Sequence, residues 1–383
     1  MNTPRKKIIF ILSGPASPGS TPNDNPFWYL SKYFTGYAIG STWPNEDSKL
    51  SATYVKEVQP SFKDFKYKTF RKSYSPVPIK DILHLYHYLK IGITILRSEK
   101  IDAIVCYGFL IPGISSTILS KLFRVPLIVE VPGVTEKALS FSKSRLKFIF
   151  SKIALLSIKF TLKQATGVWF LFRDQVNEEY LPAKIKRFVS HEFTPIGMYK
   201  PTKIQEPIIS FLGYPWELKG VDILIEAFKK IAPKFPDAKL KIAGYCPDPS
   251  SFIEQAKGFE DRIEFLKSLT RQESIKFVES TRIFVLPSRT EAMGRVLLEA
   301  MAAEKGIIAS NVDGIPHYLK DHETGLLFES ENVEDLASKL DSLLANEALY
   351  YSLSKNARKV VNELYTEEKY AENLYHIVEQ STE

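Results

Sequence analysis

Two glutamates in the stretch SRTEAMGRVLLEAMA, residues 288–302, have a spacing that could bind a ligand. Glu291 and Glu299 are eight positions apart, so on a single helix they would be rotated by roughly 80° and would not share a face. A proline directly before the stretch predicts that Glu291 lies in a loop, that a helix begins between Ala292 and Gly294, and that Glu299 lies about one and a half turns inside it. The start of a helix presents free backbone N–H groups to anions, and a glycine there lets a ligand approach the backbone. The pattern is therefore typical of a site for a phosphorylated ligand, although a capped helix without a ligand would also produce it.

The elements around this stretch follow a repeated order of strand and helix. Short continuous apolar runs bounded by turn residues recur in both halves of the chain, and longer runs with helical spacing separate them. The strand candidates are 7–13, 101–108, 125–131, 167–172, 207–213, 238–244, 262–266, 282–288 and 306–310. Continuous apolar strands indicate parallel sheets that are covered on both faces. We therefore predict an α/β protein with a doubly wound, Rossmann-like parallel sheet in each half.

The length of the chain predicts more than one domain. Single cores rarely serve more than about 250–300 residues, and this chain has 383. Prolines cluster within 194–207, which predicts an N-terminal domain at 1–198 and a C-terminal domain at 199–365. The helical segment 366–383 is predicted to pack back on the N-terminal domain. Residues 45–80 have a weaker pattern, which predicts one strand and a long basic, aromatic loop.

Charge is distributed unevenly along the chain. Residues 1–200 contain 29 lysines and arginines against 14 aspartates and glutamates, a net charge of +15, whereas residues 201–383 contain 22 against 30, a net charge of −8. In the basic half, the segment 136–164 has apolar residues spaced by three and four between its lysines, which predicts one or two amphipathic helices. We predict that residues 137–163 contact an anionic membrane surface; the alternative is a helix packed on the sheet with a solvated basic back. The basic half has no recognisable nucleic-acid recognition motif, so no nucleic-acid partner is expected.

The apolar runs and the cysteines indicate the cellular compartment. No run approaches the ~18 residues of a membrane span, and the apolar stretch near the N-terminus, IIFIL, is shorter than the roughly 7–15 residues of a secretory signal core. Cys106 and Cys246 lie far apart in the sequence, as is typical of reduced thiols. A cytoplasmic protein is expected, with peripheral association at the cytoplasmic face of the membrane.

A longer stretch, RIFVLPSRTEAMGRVLLEAMAAEKGIIASNVDGIPHYLKDHETGLLF (282–328), resembles the donor-site region of the retaining glycosyltransferases of family 4. It contains in order a strand ending in Pro-Ser, the two glutamates separated by seven residues, the run EAMA, a strand ending in Ser, Gly-Ile-Pro and Thr-Gly-Leu-Leu. Residues 211–244, which include Lys219 and Gly220, are similar to the start of the family's C-terminal domain. The resemblance covers most of residues 207–365. It implies the GT-B fold, in which two Rossmann-like domains face each other across a cleft.

The resemblance implies roles for individual residues. Glu299 would bind the ribose hydroxyls of a nucleotide sugar, while Glu291 and Lys219 would be catalytic, the first contacting the donor sugar and the second neutralising the departing diphosphate. The remaining donor-binding candidates are Ala292, Met293, Gly294 and Arg295 around the sugar and diphosphate, Leu269 at the base, Arg289 near the phosphates, and Gly19 in the loop after the first strand.

The activity implied by the resemblance is a metal-independent hexosyl transfer with retention of configuration. The donor would be a nucleotide-diphosphate sugar and the acceptor a saccharide or a lipid-linked saccharide, in cell-surface polysaccharide or glycolipid synthesis. No cofactor or metal is expected, and the chain has no Asp-x-Asp pair. Two departures from the family pattern stand out, since Tyr214 occupies the position of an arginine and EVPG (130–133) lacks the usual histidine. A nucleotide-sugar epimerase of GT-B architecture and a non-catalytic nucleotide-sugar binding protein are the alternatives.

Overall fold

The chain forms two compact units in a computed structural model that describes residues 5–15, 25–42, 61–62, 64–71, 79–131, 133 and 145–383. Unit 1 consists of Met1–Phe193 together with Glu368–Glu383, and unit 2 is Thr194–Glu367. The division thus falls at Thr194 and Glu368, where the sequence predicts it at 199 and 366. Unit 1 is discontinuous in sequence because the last helix belongs to it.

The strands and helices are numbered along the described residues. The strands are β1 (Lys6–Pro15), β2 (Phe34–Thr42), β3 (Ser61–Phe62), β4 (Phe65–Arg71), β5 (Ala103–Tyr107), β6 (Leu127–Glu130), β7 (Gly167–Phe170), β8 (Lys186–Val189), β9 (Ile208–Leu212), β10 (Lys239–Ala243), β11 (Ile263–Leu266), β12 (Ile283–Leu286), β13 (Gly306–Ser310) and β14 (Leu326–Phe328). The helices are α1 (Pro26–Leu30), α2 (Ile79–Ser98), α3 (Ile111–Phe123), α4 (Arg145–Leu162), α5 (Val221–Ile231), α6 (Ser250–Gln255), α7 (Arg271–Glu279), α8 (Arg295–Ala302), α9 (Ile315–Tyr318), α10 (Val333–Ala345), α11 (Glu347–Leu364) and α12 (Glu367–Thr382).

Unit 1 is a sheet with helices on both faces. Its strand order is β3-β4-β2-β1-β5-β6-β7-β8, and every pairing is parallel except the short one between β3 and β4. Ile9 and Ile11 of β1 join a core with buried residues of α2, α3 and α4, whereas Ile8 and Phe10 join a second core with α1 and α12. Alternate side chains of a buried strand thus serve two layers of helices, as expected for a doubly wound fold.

Unit 2 has a parallel sheet with the order β11-β10-β9-β12-β13-β14. The strand order reverses between β9 and β12. In open parallel sheets, ligands bind beyond the carboxyl ends of the strands at such a reversal, because the connecting helices there go to opposite faces. The fold therefore predicts a ligand site at the loops after β9 and β12, residues 213–220 and 287–294.

All nine predicted strands are confirmed, with ends that differ by a few residues. The predicted doubly wound fold is confirmed as well, with the antiparallel pairing of β3 as the exception. The structure has five further strands outside those nine predictions: β2, β3, β4, β8 and β14. Two of them, β3 and β4, lie within 45–80, where the sequence predicts one strand. Within the described ranges, no helix has the length and apolar character that crossing a membrane requires.

Candidate functional site

The loops after β9 and β12 contact each other directly. Gly220 has φ +68°, and a Cβ built there would lie 2.0 Å from the carbonyl oxygen of Pro287. The backbone N–H of Arg289 donates to the carbonyl oxygen of Leu218 at 2.9 Å. A side chain at position 220 would push the two loops apart. The glycine therefore fixes Lys219 next to the loop that carries Glu291.

Lys219 and Glu291 form an ion pair between these loops. The Lys219 Nζ donates to the Glu291 Oε2 at 2.6 Å, and the two side chains are 17% and 14% exposed. The Glu291 backbone is held by the loop after β13, because its N–H donates to the Asp313 carboxylate at 3.2 Å and its carbonyl accepts from the Gly314 N–H at 3.1 Å. The catalytic pair implied by the family resemblance thus lies together, on a backbone that several hydrogen bonds fix.

Two helices begin with glycine at this point. Gly220 and Gly294, both with positive φ, precede α5 and α8, and no described side chain caps either helix. Thr270 caps α7 and Asn332 caps α10 by their side chains, whereas α6 and the short α9 also lack a side-chain cap. The glycine before each of α5 and α8 offers no side-chain oxygen to the first turn, and the positive helix ends favour an anion. The predicted start of a helix near Gly294 is confirmed.

Glu299 lies in the second turn of α8, and its residue is only 8% exposed. The Arg271 Nη1 donates to the Glu299 Oε1 at 2.8 Å. The guanidinium also lies over the Tyr199 ring, 5.5 Å from its centroid, and burial together with the nearby Glu299 charge raises the pKa of the Tyr199 hydroxyl. An arginine thus neutralises the carboxylate that looks out of place in a core-facing helix.

Sequence reasoning did not identify Arg271. It is the first residue of α7, directly after the Thr270 cap, and Glu273 completes the capping box. The order Thr-Arg-Gln-Glu therefore marks a helix start in the sequence. It does not indicate that the arginine reaches a carboxylate 28 positions further on. Leu269, predicted at the base, is half-buried in the loop just before this helix.

Arg289 lies in a network of carboxylates. Its guanidinium donates to both carboxylate oxygens of Asp222, at 2.9 and 2.7 Å, and its Nε donates to Glu331 at 2.9 Å. The hydrogen bonds with Asp222 raise the pKa of Arg289 further above its usual value. The side chain ties the loop after β12 to the first turn of α5. A phosphate would have to compete with two carboxylates for this guanidinium.

The other predicted donor-binding residues differ in what they can offer to a ligand. Ala292 and Met293 have buried side chains, so only their backbone is available to a ligand. Arg295 is exposed in the first turn of α8. Tyr214, at the position of the family arginine, is half-exposed, and its ring centroid lies 5.5 Å from that of Tyr245.

Gly19 lies outside the described residues. Among the residues that are described, no group of three or more His, Cys, Asp or Glu side chains has an arrangement that could hold a metal ion.

Comparisons with known proteins show a family match that includes this region. Residues 200–360 match the family described as glycosyl transferases group 1. An uncharacterized glycosyltransferase from Haemophilus influenzae is 33% identical over 188 residues, which are 48% of this chain and 52% of that protein. The chain thus spans about half the length of this curated relative.

Two solved structures resemble almost the whole chain. A sucrose-phosphate synthase from Thermosynechococcus elongatus has a TM-score of 0.78 at 18% identity, covering 98% of this chain and 99% of that one. The Anabaena protein HepE in complex with UDP-glucose has a TM-score of 0.71 at 15% identity, covering 98% of both chains. The fold is that of the GT-B proteins, and residues 200–360 match the glycosyl transferases group 1 family.

Proposed function

We propose that this protein transfers a sugar from a nucleotide-diphosphate sugar to a saccharide or lipid-linked acceptor, with retention of configuration at the anomeric carbon. One observation carries the proposal. Two helices that begin at glycine, and the Lys219–Glu291 pair between them, meet where the strand order of unit 2 reverses. This arrangement suits a diphosphate that carries a hydroxyl-rich group.

In this proposal the diphosphate binds at the starts of α5 and α8. The Lys219 ammonium turns from Glu291 to the diphosphate, where it stabilises the charge that develops as the nucleoside diphosphate leaves. The Glu291 carboxylate then accepts hydrogen bonds from the hydroxyls of the donor sugar. The backbone of residues 292–295 lies against the sugar and diphosphate, and Gly294 keeps this approach open. Helix starts and a lysine supply the positive charge, so this scheme requires no metal ion.

The ribose of the donor binds at Glu299. Its carboxylate has two oxygens, and Arg271 takes one of them at 2.8 Å. The other oxygen can accept from a ribose hydroxyl while the arginine keeps the carboxylate ionised and oriented. The base would lie along the backbone near Leu269, in the loop that leads to Arg271. The structural neighbour HepE, crystallised with UDP-glucose, supports a nucleotide sugar as the class of donor.

The reaction exchanges one bond for another at the anomeric carbon. The bond from this carbon to the diphosphate oxygen breaks, a bond to an acceptor oxygen forms on the same face, and the acceptor proton leaves with the nucleoside diphosphate. Retention and the hexosyl group follow from the resemblance to family 4. The same resemblance supports a role in cell-surface polysaccharide or glycolipid synthesis by a cytoplasmic protein at the membrane.

Thermal stabilisation by UDP-, GDP- and ADP-sugars tests the donor site. We expect one class of nucleotide sugar to raise the melting temperature of the wild type, and we expect Glu299→Ala to abolish that shift. Glu254→Ala, an exposed glutamate of α6, is the matched control and should respond as the wild type does. If no nucleotide sugar stabilises the wild type, or if Glu299→Ala responds equally, the site assignment is wrong.

Release of nucleoside diphosphate separates transfer from the two alternatives. A transferase releases it in proportion to the acceptor that is added. An epimerase would change the donor sugar without an acceptor, and a binding protein would be stabilised by the donor without releasing anything. Either of those two results would contradict the proposed activity while leaving the donor site intact.

A further inference from the structure

Two neighbouring helices of unit 1 present apolar side chains to solvent. We define the α3–α4 face by its exposed apolar residues and by the lysines among them. The apolar residues are Leu110, Ile118, Leu122, Ile153, Leu156 and Phe160, and the lysines are Lys121, Lys152, Lys159 and Lys163. Leu122 and Leu156 are 60% and 67% exposed. These exposures are unusual for a row of large apolar residues, because adjacent ones normally lie in a core or against a partner.

The apolar positions of each helix form a stripe. The first stripe begins at Leu110, directly before α3, and continues on α3 through Ile114, Ile118 and Leu122, four residues apart each time. On α4 it runs through Ile153, Leu156 and Phe160, spaced by three and four. Such spacing places residues on one side of a helix.

The two helices pack against each other. The Ser157 hydroxyl donates to the Phe109 carbonyl at 2.8 Å, and the Lys121 ammonium lies 5.5 Å from the centre of the Phe160 ring. The opposite side of α4 faces the interior, where Ala154, Ile158 and Leu162 are buried. The two stripes therefore adjoin, and both are on the outer side of the helix layer.

This orientation bears on the two interpretations of the segment. The sequence predicts amphipathic helices that either contact a membrane or pack their apolar side on the sheet. The stripe of Ile153, Leu156 and Phe160 faces solvent, and a separate set of residues packs inward. The apolar side that the spacing reveals is thus not the one that packs on the sheet. Residues 137–144 and the side chains of 145–151 lie outside the described part of the chain.

Charge indicates what covers this face. Neither α3 nor α4 contains an aspartate or glutamate. α3 has one lysine, Lys121 near its end, whereas Lys152 and Lys159 lie along α4 and Lys163 directly follows it. Lysine stems can lie along an apolar surface while the ammonium groups reach phosphate. A second copy of the chain would bring the same lysines together and would be repelled. An anionic bilayer instead offers an apolar acyl boundary to the stripes and negative headgroups to the lysines.

We propose that the α3–α4 face docks on an anionic lipid surface, with its leucines and phenylalanine at the acyl boundary and its lysines at the headgroups. The inference rests on the proposed function in one respect, because a lipid-linked acceptor would lie in the same bilayer. Docking itself needs neither donor nor transfer. Its test can therefore succeed or fail independently of the donor site.

Vesicle sedimentation with the full chain tests the docking surface. We expect binding to vesicles of phosphatidylcholine and phosphatidylglycerol in equal parts, weaker binding as salt is raised, and little binding to pure phosphatidylcholine. Reversing Lys152 and Lys163 together, Lys152→Glu and Lys163→Glu, should weaken binding at least tenfold, since each cation near such a surface strengthens it by about fivefold. Leu122→Gln with Leu156→Gln should weaken binding by about tenfold. All four side chains are exposed, so the variants should fold.

Controls on unit 2 separate this face from a general effect of charge or apolarity. Ile253→Gln with Leu364→Gln and the single change Lys359→Glu alter exposed residues of α6 and α11 and should leave binding unchanged. Equal losses in the controls, wild-type binding by the α3–α4 variants, or no binding by the wild type would overturn the proposal. So would a wild-type dimer that Leu122→Gln with Leu156→Gln converts to a monomer, because a second copy would then cover the face. Nucleotide-sugar stabilisation of the same variants reports separately on the donor site.

Discussion

The Glu299 carboxylate is buried in α8 because an arginine from another helix accompanies it. The two side chains are 11% and 31% exposed, so neither is fully hydrated. In such an environment the cost of removing one partner comes mainly from the charge left behind. The pair is thus a structural feature as well as a candidate part of the ribose site.

A double-mutant cycle tests this coupling. Arg271→Ala should reduce the free energy of unfolding by about 2 kcal/mol, because it leaves a buried carboxylate without its cation. Arg271→Ala combined with Glu299→Ala should be less destabilised than the sum of the single changes, since the double variant leaves no charge unpaired. Urea unfolding of the four proteins measures the coupling. Strictly additive losses would contradict the dependence of Glu299 on Arg271.

The two glutamates and the glycine between them were accessible from the sequence, but their partners were not. A proline, a glycine and a spacing of eight define a loop followed by a helix, which is local information. Arg271 and Asp313 reach these glutamates across 28 and 22 positions of the chain. The partners of Arg289 were equally inaccessible from the sequence, because they come from α5 and from Glu331. Pairing of this kind depends on tertiary packing, which no local pattern contains.

At the scale of elements, the contact between the loops after β9 and β12 depends on a missing side chain. Gly220 has positive φ, and the Pro287 carbonyl occupies the place of its Cβ. Gly258 also has positive φ, at +85°, but a Cβ there would meet nothing within 4 Å. A substitution at Gly258 would therefore cause backbone strain alone, whereas one at Gly220 would add a steric clash.

Alanine at each position measures that difference. Gly258→Ala should cost about 1 kcal/mol of the free energy of unfolding, the usual penalty for a left-handed residue with a side chain. Gly220→Ala should cost clearly more and should also abolish stabilisation by a nucleotide sugar, because the loops that hold Lys219 and Glu291 must separate. Chemical unfolding and the thermal shift assay report the two effects. Equal costs with an intact thermal shift would contradict the role of the close contact.

The strands that sequence reasoning missed share a physical cause. β2, FTGYAIGST, contains two glycines, and Gly36 is required because a Cβ there would lie 2.0 Å from the Ile8 carbonyl oxygen of β1. Glycine interrupts the apolar run by which a buried strand is recognised. β8 is an edge strand with mostly exposed residues, and β14 has three residues. Central strands were predictable because burial on both faces makes them continuously apolar.

At the scale of the whole molecule, the last helix joins the two ends of the chain in one unit. α12 contributes Tyr370, Ala371, Leu374, Ile377 and Val378 to the core that covers one face of the unit 1 sheet. Its Tyr370 hydroxyl lies 2.7 Å from that of Tyr107 at the end of β5, and Glu379 pairs with Lys6 at 2.8 Å. The residues that α12 buries are apolar positions of an amphipathic helix.

Removal of residues 368–383 should therefore destabilise unit 1 and leave unit 2 folded. Five buried side chains would be lost from one core, and each large one contributes about 1.5–3 kcal/mol by burial, a sum comparable with the whole stability of a domain. Hydrogen exchange of the truncated chain should show loss of protection in β1, β5 and β6, with protection retained in β9, β10 and β12. A chain lacking only the last two residues is the control. Retained protection of β1 and β5 would show that α12 is dispensable, and equal loss in both units would show that the two do not fold independently.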